Sequence, residues 1–232
     1  MNQTLARRVV AEAIGTSFLL AAVVGSGIMA GRLASGDMAL ALLANTVATG
    51  AALLALILTF GPISGAHFNP IVSLSSLIEK ELDWKLFALY SCTQVVGAVA
   101  GVMLANIMFG LPPISFSRHV RGGTEQLLSE FVASFGLVIV IAGCARQRWN
   151  AVALAVAAYI TAAYWFTPST SFANPAVTIA RSLSDTFTGI APGNVLGFVL
   201  AQILGAVAAT VLFQWLIPKP KRAERESETR SK

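Results

Sequence analysis

Residues 66–74 read AHFNPIVSL, and residues 171–181 read SFANPAVTIAR. Each places Asn-Pro beside a long apolar run. Asparagine is a favoured helix N-cap, and proline suits the first helical position. The two stretches therefore predict one short helix from Pro70, capped by Asn69, and another from Pro175, capped by Asn174. Ahead of them lie SGAH and STSFA, read as extended chain with unpaired carbonyls. One Asn-Pro alone is an ordinary surface cap. Two of them, each next to apolar segments, ask for a common explanation.

The rest of the chain supplies it. Of 232 residues, 56% are hydrophobic and 12% charged, and mean hydropathy is +0.72. That charge is too sparse to cover a soluble surface. Residues 38–60, 86–117, 149–180 and 186–218 contain no Asp, Glu, Lys or Arg. A bilayer span takes about 20 apolar residues. Several runs exceed that and contain Pro or Gly, so each reads as a helix plus something shorter. The expected spans are 8–30, 38–60, 84–109, 126–144, 151–166 and 195–217, with Gly61-Pro62 ending the second. Arg7 and Arg8 before an apolar run mimic a signal peptide. Glu12 interrupts that run, so a retained first helix is expected. Cys92 and Cys144 lack metal or disulfide spacing and read as small buried packing residues.

The halves repeat one another. Glu12 in the first helix answers Glu130 in the fourth, Asn69-Pro70 answers Asn174-Pro175, and Gln94 in the third helix answers Gln202 in the sixth. Three spans per repeat is odd, so the halves face opposite ways through the membrane. Such inverted repeats place a site at their midplane interface. The organisation expected is one channel domain, 1–218, with repeats at about 8–110 and 126–218, and a charged, poorly ordered tail at 219–232. Six of the 16 basic residues fall in that tail among three Glu, which reads as a solvated cytoplasmic segment and not a nucleic-acid arm. Arg7, Arg8, Lys80, Lys85, Arg146, Arg148 and the tail share one side, and Arg32, Arg118 and Arg121 the other. The richer side is cytoplasmic by the positive-inside tendency, which puts both termini there.

A short helix cannot cross about 30 Å of hydrocarbon at 1.5 Å per residue. Two entering from opposite sides meet cap to cap, with both positive dipole ends at the centre. Irregular backbone at that depth is tolerated where it lines a watery cavity. A cation, including a hydrated proton, is disfavoured there, and a neutral hydrogen-bonding solute is not. The amides of Asn69 and Asn174 are free to donate to a passing hydroxyl. The intramembrane carboxylates Glu12 and Glu130 read, from their symmetry, as scaffold groups anchoring the backbone amides before each short helix. A proton relay is the other reading.

With SGAHFNPIVSL, SFANPAVTIAR, Glu12, Glu130, Gln94 and Gln202 in place, the chain resembles the aquaporin and aquaglyceroporin family, the major intrinsic proteins. The resemblance covers everything but the tail. It implies an all-α membrane protein with six transmembrane helices, two re-entrant half-helices and an inverted repeat of three spans each. It also implies a pore in each subunit of a homotetramer, with passive flow of water or small uncharged solutes. The setting implied is the lipid bilayer of the cell inner membrane, with no cofactor, metal or nucleic-acid partner. His67 corresponds to a histidine that packs beside the pore. Ile71 stands where Ala is usual, at a pore-lining or supporting position.

The family's outer constriction maps here onto Thr49, Ala162, Ser171 and Val177, the last in place of a nearly invariant Arg. As mapped, these four offer neither an aromatic ring nor a charge. The resemblance therefore implies a wide, weakly polar opening for glycerol, water, urea and metalloid hydroxides such as arsenite. Small residues with Val for Arg resemble bacterial members associated with arsenic resistance, which implies metalloid hydroxides and their methylated forms as the physiological cargo. Arg181 is expected to pair with Asp185 at i,i+4. The other reading turns it toward the pore mouth, in place of the missing charge. A water-selective or general aquaporin, a coupled secondary transporter and a non-conducting membrane scaffold are the competing functions. No acid–base or metal constellation suggests an enzyme.

Overall fold

A computed structural model describes residues 3–145 and 149–217, with the side chains of 149 and 150 excluded. Arg146, Arg148 and the 219–232 tail lie outside the described residues. The described residues form eight helices: α1 Leu5–Leu33, α2 Met38–Ser64, α3 Pro70–Ile78, α4 Trp84–Met108, α5 Thr124–Ala145, α6 Trp149–Phe166, α7 Pro175–Arg181 and α8 Pro192–Leu216. No strand occurs among the described residues. Five helices, α1, α2, α4, α5 and α8, are long and apolar enough to cross a bilayer, and α6 is a shorter apolar helix. With 9 and 7 residues, α3 and α7 are about 14 Å and 10 Å long at 1.5 Å per residue, too short to cross alone.

Local chemistry sets the ends. The Asp37 carboxylate accepts from the Ala39 and Leu40 amides at 2.9 and 3.0 Å, capping α2, and Asp83 caps α4 by accepting from the Leu86 amide at 2.8 Å. The expected break at Gly61-Pro62 does not occur. Helix α2 continues through Pro62 to Ser64, and Gly65 at φ +94° ends it. Pro62 lies in the last turn on an exposed face, so the bond it removes is one near the helix end.

The halves pack alike. α1 lies against α2 and α4, and α5 against α6 and α8, while α3 and α7 each contact both α4 and α8. Close crossings rest on glycine. A Cβ on Gly101 would stand 2.1 Å from the Ser17 carbonyl oxygen of α1, and one on Gly205 2.3 Å from that of Phe131 in α5. The distribution of side chains is that of a membrane protein. Phe18, Val47, Val96, Leu128, Leu154 and Leu204 are exposed on the helix exteriors, while Glu12, Thr16, Gln94, Glu130 and Gln202 are buried inside. Cys92 departs from expectation: it is exposed on α4, on a helix whose outer face needs no polar cover.

Candidate functional site: a channel between the two half-helices

The site is built on the two buried carboxylates. Glu12 Oε1 accepts from the Ser64 hydroxyl at 2.6 Å and the His67 amide at 3.0 Å. Its Oε2 accepts from the Phe68 amide at 2.7 Å and Gln94 Nε2 at 2.8 Å. Glu130 repeats the set. Its Oε1 accepts from the Ser169 hydroxyl at 2.6 Å and the Phe172 amide at 2.9 Å. Its Oε2 accepts from the Ala173 amide at 2.9 Å and Gln202 Nε2 at 2.6 Å. Both carboxylates are fully buried with four donors each, which satisfies most of their lone pairs.

These bonds hold the leaders in an unusual backbone. Ala66 and Phe68 have φ of +47° and +49°, and Ser171 and Ala173 have +48° and +45°. Positive φ is unfavourable for residues other than glycine and persists where the surroundings impose it. Alternating it with extended residues turns successive carbonyls to one side. No hydrogen bond among the described residues occupies the carbonyls of Ala66, His67, Ser171 or Phe172, which line the cavity.

At the centre the two caps lock crosswise. Asn69 Nδ2 donates to the Ala173 carbonyl at 2.8 Å, and Asn174 Nδ2 donates to the Phe68 carbonyl at 2.8 Å. Asn69 Oδ1 accepts from the Ile71 amide at 3.0 Å, and Asn174 Oδ1 from the Ala176 and Val177 amides at 3.0 and 3.3 Å. Each amide nitrogen keeps a second hydrogen, and both asparagines line a cavity of about 780 Å³. That cavity runs from Gln3, Arg8 and Glu81 at one end to Thr49, Tyr164 and Arg181 at the other. Leu19, Val23, Leu53, Leu137 and Val156 make an apolar wall opposite the polar leaders. Pro70 and Pro175 sit at the first position of each half-helix. His67 lines the cavity, shares a hydrogen bond with the Ser73 hydroxyl at 3.0 Å and meets Tyr90 edge-on.

Two expected placements change, those of Ala162 and Arg181. Ala162 is exposed on the outside of α6 and is not part of the cavity wall. The lining residues of that helix are Val152, Val156, Ile160 and Tyr164, one turn apart, so position 162 points away. Tyr164 brings the ring that the mapped set lacked, with its hydroxyl 3.3 Å from that of Thr49. Ile71 is buried against Val138, Ala206 and Ala209 and supports α3 from behind. Arg181 does not pair with Asp185. It is buried, it lines the cavity, and its Cζ lies 3.4 Å from the Phe172 ring centroid, while its Nε donates to the Thr188 carbonyl. The reason is competition: Asp185 accepts from the Arg118 amide and from Arg118 Nε, both at 2.9 Å. Thr49, Ser171 and Val177 do line the cavity.

The Arg118 contacts hold the Asp185 carboxyl below its ordinary value of 3.8, the backbone amide being the largest cause. A depressed carboxyl contributes above its unfolded value and loses the contribution as pH falls through the folded one. The loop pairing is therefore expected to persist at pH 5 and to release only below 3.8. The Arg118 amide shift in an NMR titration checks this. A transition near neutrality would overturn it.

The profile of one family, described as "Major intrinsic protein", matches residues 1–148 and again residues 124–232. The chain is a major intrinsic protein. The two overlapping matches together span residues 1–232. Among relatives of this major intrinsic protein is the "Aquaglyceroporin AqpS" of Rhizobium meliloti (strain 1021), 55% identical over 223 residues, or 96% of this chain and 95% of the relative. The "Aquaporin NIP1-1" of Oryza sativa subsp. japonica is 29% identical over 87% of this chain and 71% of its own. The X-ray structure of the aquaglyceroporin from Plasmodium falciparum superposes with TM-score 0.71 at 18% identity, covering 90% of this chain and 96% of that one, which shows the shared fold. This major intrinsic protein is thus a multi-pass membrane channel of the aquaporin and aquaglyceroporin type and not an enzyme.

Sequence reasoning missed six contributors. Ser64 and Ser169 each stand five residues before a cap asparagine, a symmetry legible in SGAHFN and STSFAN. Arg8 bonds the Tyr90 hydroxyl at 2.9 Å, and Tyr90 in turn bonds the Ser64 carbonyl at 2.9 Å. Nothing in the local sequence signals that chain. Arg121 donates to the Gly189 carbonyl at 2.8 Å, bracing the loop after α7. Tyr164 is the sixth, one turn beyond Ile160.

Proposed function

We propose that the chain is a passive channel for small uncharged solutes, glycerol and urea foremost, with water following. The observation that carries this is the two-sided lumen. Free leader carbonyls and the Asn69 and Asn174 amides run along one side, and aliphatic side chains along the other. A polyol exchanges its water shell for that ladder while its carbon backbone rides the apolar wall. Glu12, Glu130, Gln94 and Gln202 act in this reading as the frame that holds the ladder open, and His67 as a pore-side support. Thr49, Tyr164, Ser171, Val177 and Arg181 form the outer filter. The aperture is therefore neither as wide nor as uncharged as the four mapped positions alone imply. A 55% identical relative bears the name aquaglyceroporin, which agrees with this cargo.

Arsenite and methylated arsenicals belong to the same proposal as neutral hydroxides of similar size. Both termini are proposed to be cytoplasmic in the inner membrane, with residues 1–218 as one channel domain of two repeats, assembled as a homotetramer. Stopped-flow light scattering on proteoliposomes with glycerol, urea, arsenite and methylated arsenicals tests the cargo. Passage of water alone would sink the reading. Val177→Arg is expected to lower glycerol flux about tenfold, with a smaller effect on water, since a second guanidinium then occupies the same ring. Equal effects on all solutes would show that residue 177 does not discriminate.

A further inference from the structure

Position 177 holds valine, yet the ring around it does not lack a cation. Arg181 lies one turn further along α7, on the same face. Helical side chains lean toward the N-terminus of their helix, so a long side chain covers the turn before its own Cα. For Arg181 that turn carries Val177, and both residues line the channel. A branched, short side chain at 177 leaves the room that the longer one uses.

The guanidinium is fixed from two directions. Its plane rests on Phe172, and its Nε donates to the Thr188 carbonyl. Neither Nη is bonded to any described residue, and neither is a sealed, orphaned atom. The side chain therefore presents two donors to the lumen. Its charge is also uncompensated locally. Asp185 is taken by Arg118, Glu130 already has four donors, and Arg121 adds a second guanidinium 5.1 Å from the same Phe172 ring. His119, on the loop above, is held below its ordinary value of 6.5 by burial and then by Arg121 and Arg181, as a positive mouth requires.

We infer that Arg181, and not residue 177, is the specificity-determining cation of the outer filter, and that its two Nη donors select solutes carrying adjacent hydroxyls. The inference rests on the channel reading above. A vicinal diol accepts from both Nη donors, one oxygen to each. Water gains less, because it presents a single oxygen. The arginine thus favours polyols over water in the outer filter, and it does so from a position one turn outside the Asn-Pro-Ala-Val segment.

The test measures glycerol and water permeability of the full-length protein in proteoliposomes. Wild type, Arg181→Met, Arg181→Lys and the double variant Val177→Arg/Arg181→Met are compared. Wild-type glycerol flux decides the channel reading by itself, and its absence overturns that reading before the arginine is addressed. Given that flux, Arg181→Met keeps the bulk and loses the donors. The glycerol-to-water ratio is expected to fall about tenfold, as for one charge-assisted hydrogen bond lost. The double variant returns a guanidinium to the same ring and is expected to recover most of the ratio, which a merely structural role for residue 181 would not produce. An unchanged ratio in Arg181→Met, or a lowered one that the double variant leaves unrescued, overturns the inference. Should the Met variant fail to fold, Arg181→Lys decides: it keeps the charge but gathers its donors on one nitrogen, so a drop of severalfold supports the inference and a wild-type ratio overturns it.

Discussion

Replacing Glu130 with alanine is expected to abolish the folded channel. Four donors converge on that carboxylate from Ser169, Phe172, Ala173 and Gln202. All are buried in protein at membrane depth, where water cannot replace the acceptor. Leaving a buried donor unsatisfied costs about 1–3 kcal/mol, so the loss is on the order of 5 kcal/mol or more. The same change releases Ser171 and Ala173 from their positive φ. The leader then relaxes, and the carbonyl ladder goes with it. Glu130→Gln should be milder, since one oxygen still accepts while the new NH₂ faces a donor. Size-exclusion profiles and thermal unfolding in detergent are the measurements. A melting temperature for Glu130→Ala within a few degrees of wild type would refute the anchor role.

The second large effect is expected at Gly101. A valine there puts Cβ 2.1 Å from the Ser17 carbonyl oxygen and 2.9 Å from Leu20 Cβ, both on α1. The obstacle is helical backbone, which cannot swing aside as a side-chain end can. Relief requires α1 and α4 to separate, and Glu12 and Gln94 sit on those two helices with their mutual bond at 2.8 Å. The clash therefore reaches the channel frame. Gly101→Val should lose several kcal/mol, as over-packing at a tight crossing does. Gly193→Ala is the control, because a Cβ there meets nothing within 4 Å. Comparable losses in both would remove the crossing as the cause.

The architecture was legible because its signals are local and repeated. An asparagine before a proline names its own cap, and a second copy in matching context turns a turn signal into a midplane site. The carboxylates could be read by symmetry in the same way. The outer ring was harder for reasons of geometry. Whether 162 or 164 faces the lumen depends on how α6 is rotated, and two residues along a helix swing a side chain by about 200°. The fate of Arg181 depended on Asp185, four residues away, and on Arg118, which bonds Asp185 from 67 residues upstream. A sequence neighbour four residues on is a natural partner only when no distant loop brings a better one.

The crosswise amide bonds at the centre also set an order of events at birth. Their partners are 104 and 106 residues apart in the chain. At about 5–20 residues per second, the Phe68 carbonyl waits roughly 5–20 s for Asn174 to be synthesised. Throughout that interval the first repeat is a half-built vessel whose polar inner face has no lid. It must be shielded by the insertion machinery or by its own helices closing over it. The ribosome's pace across the second repeat is thus part of how this channel comes to be sealed.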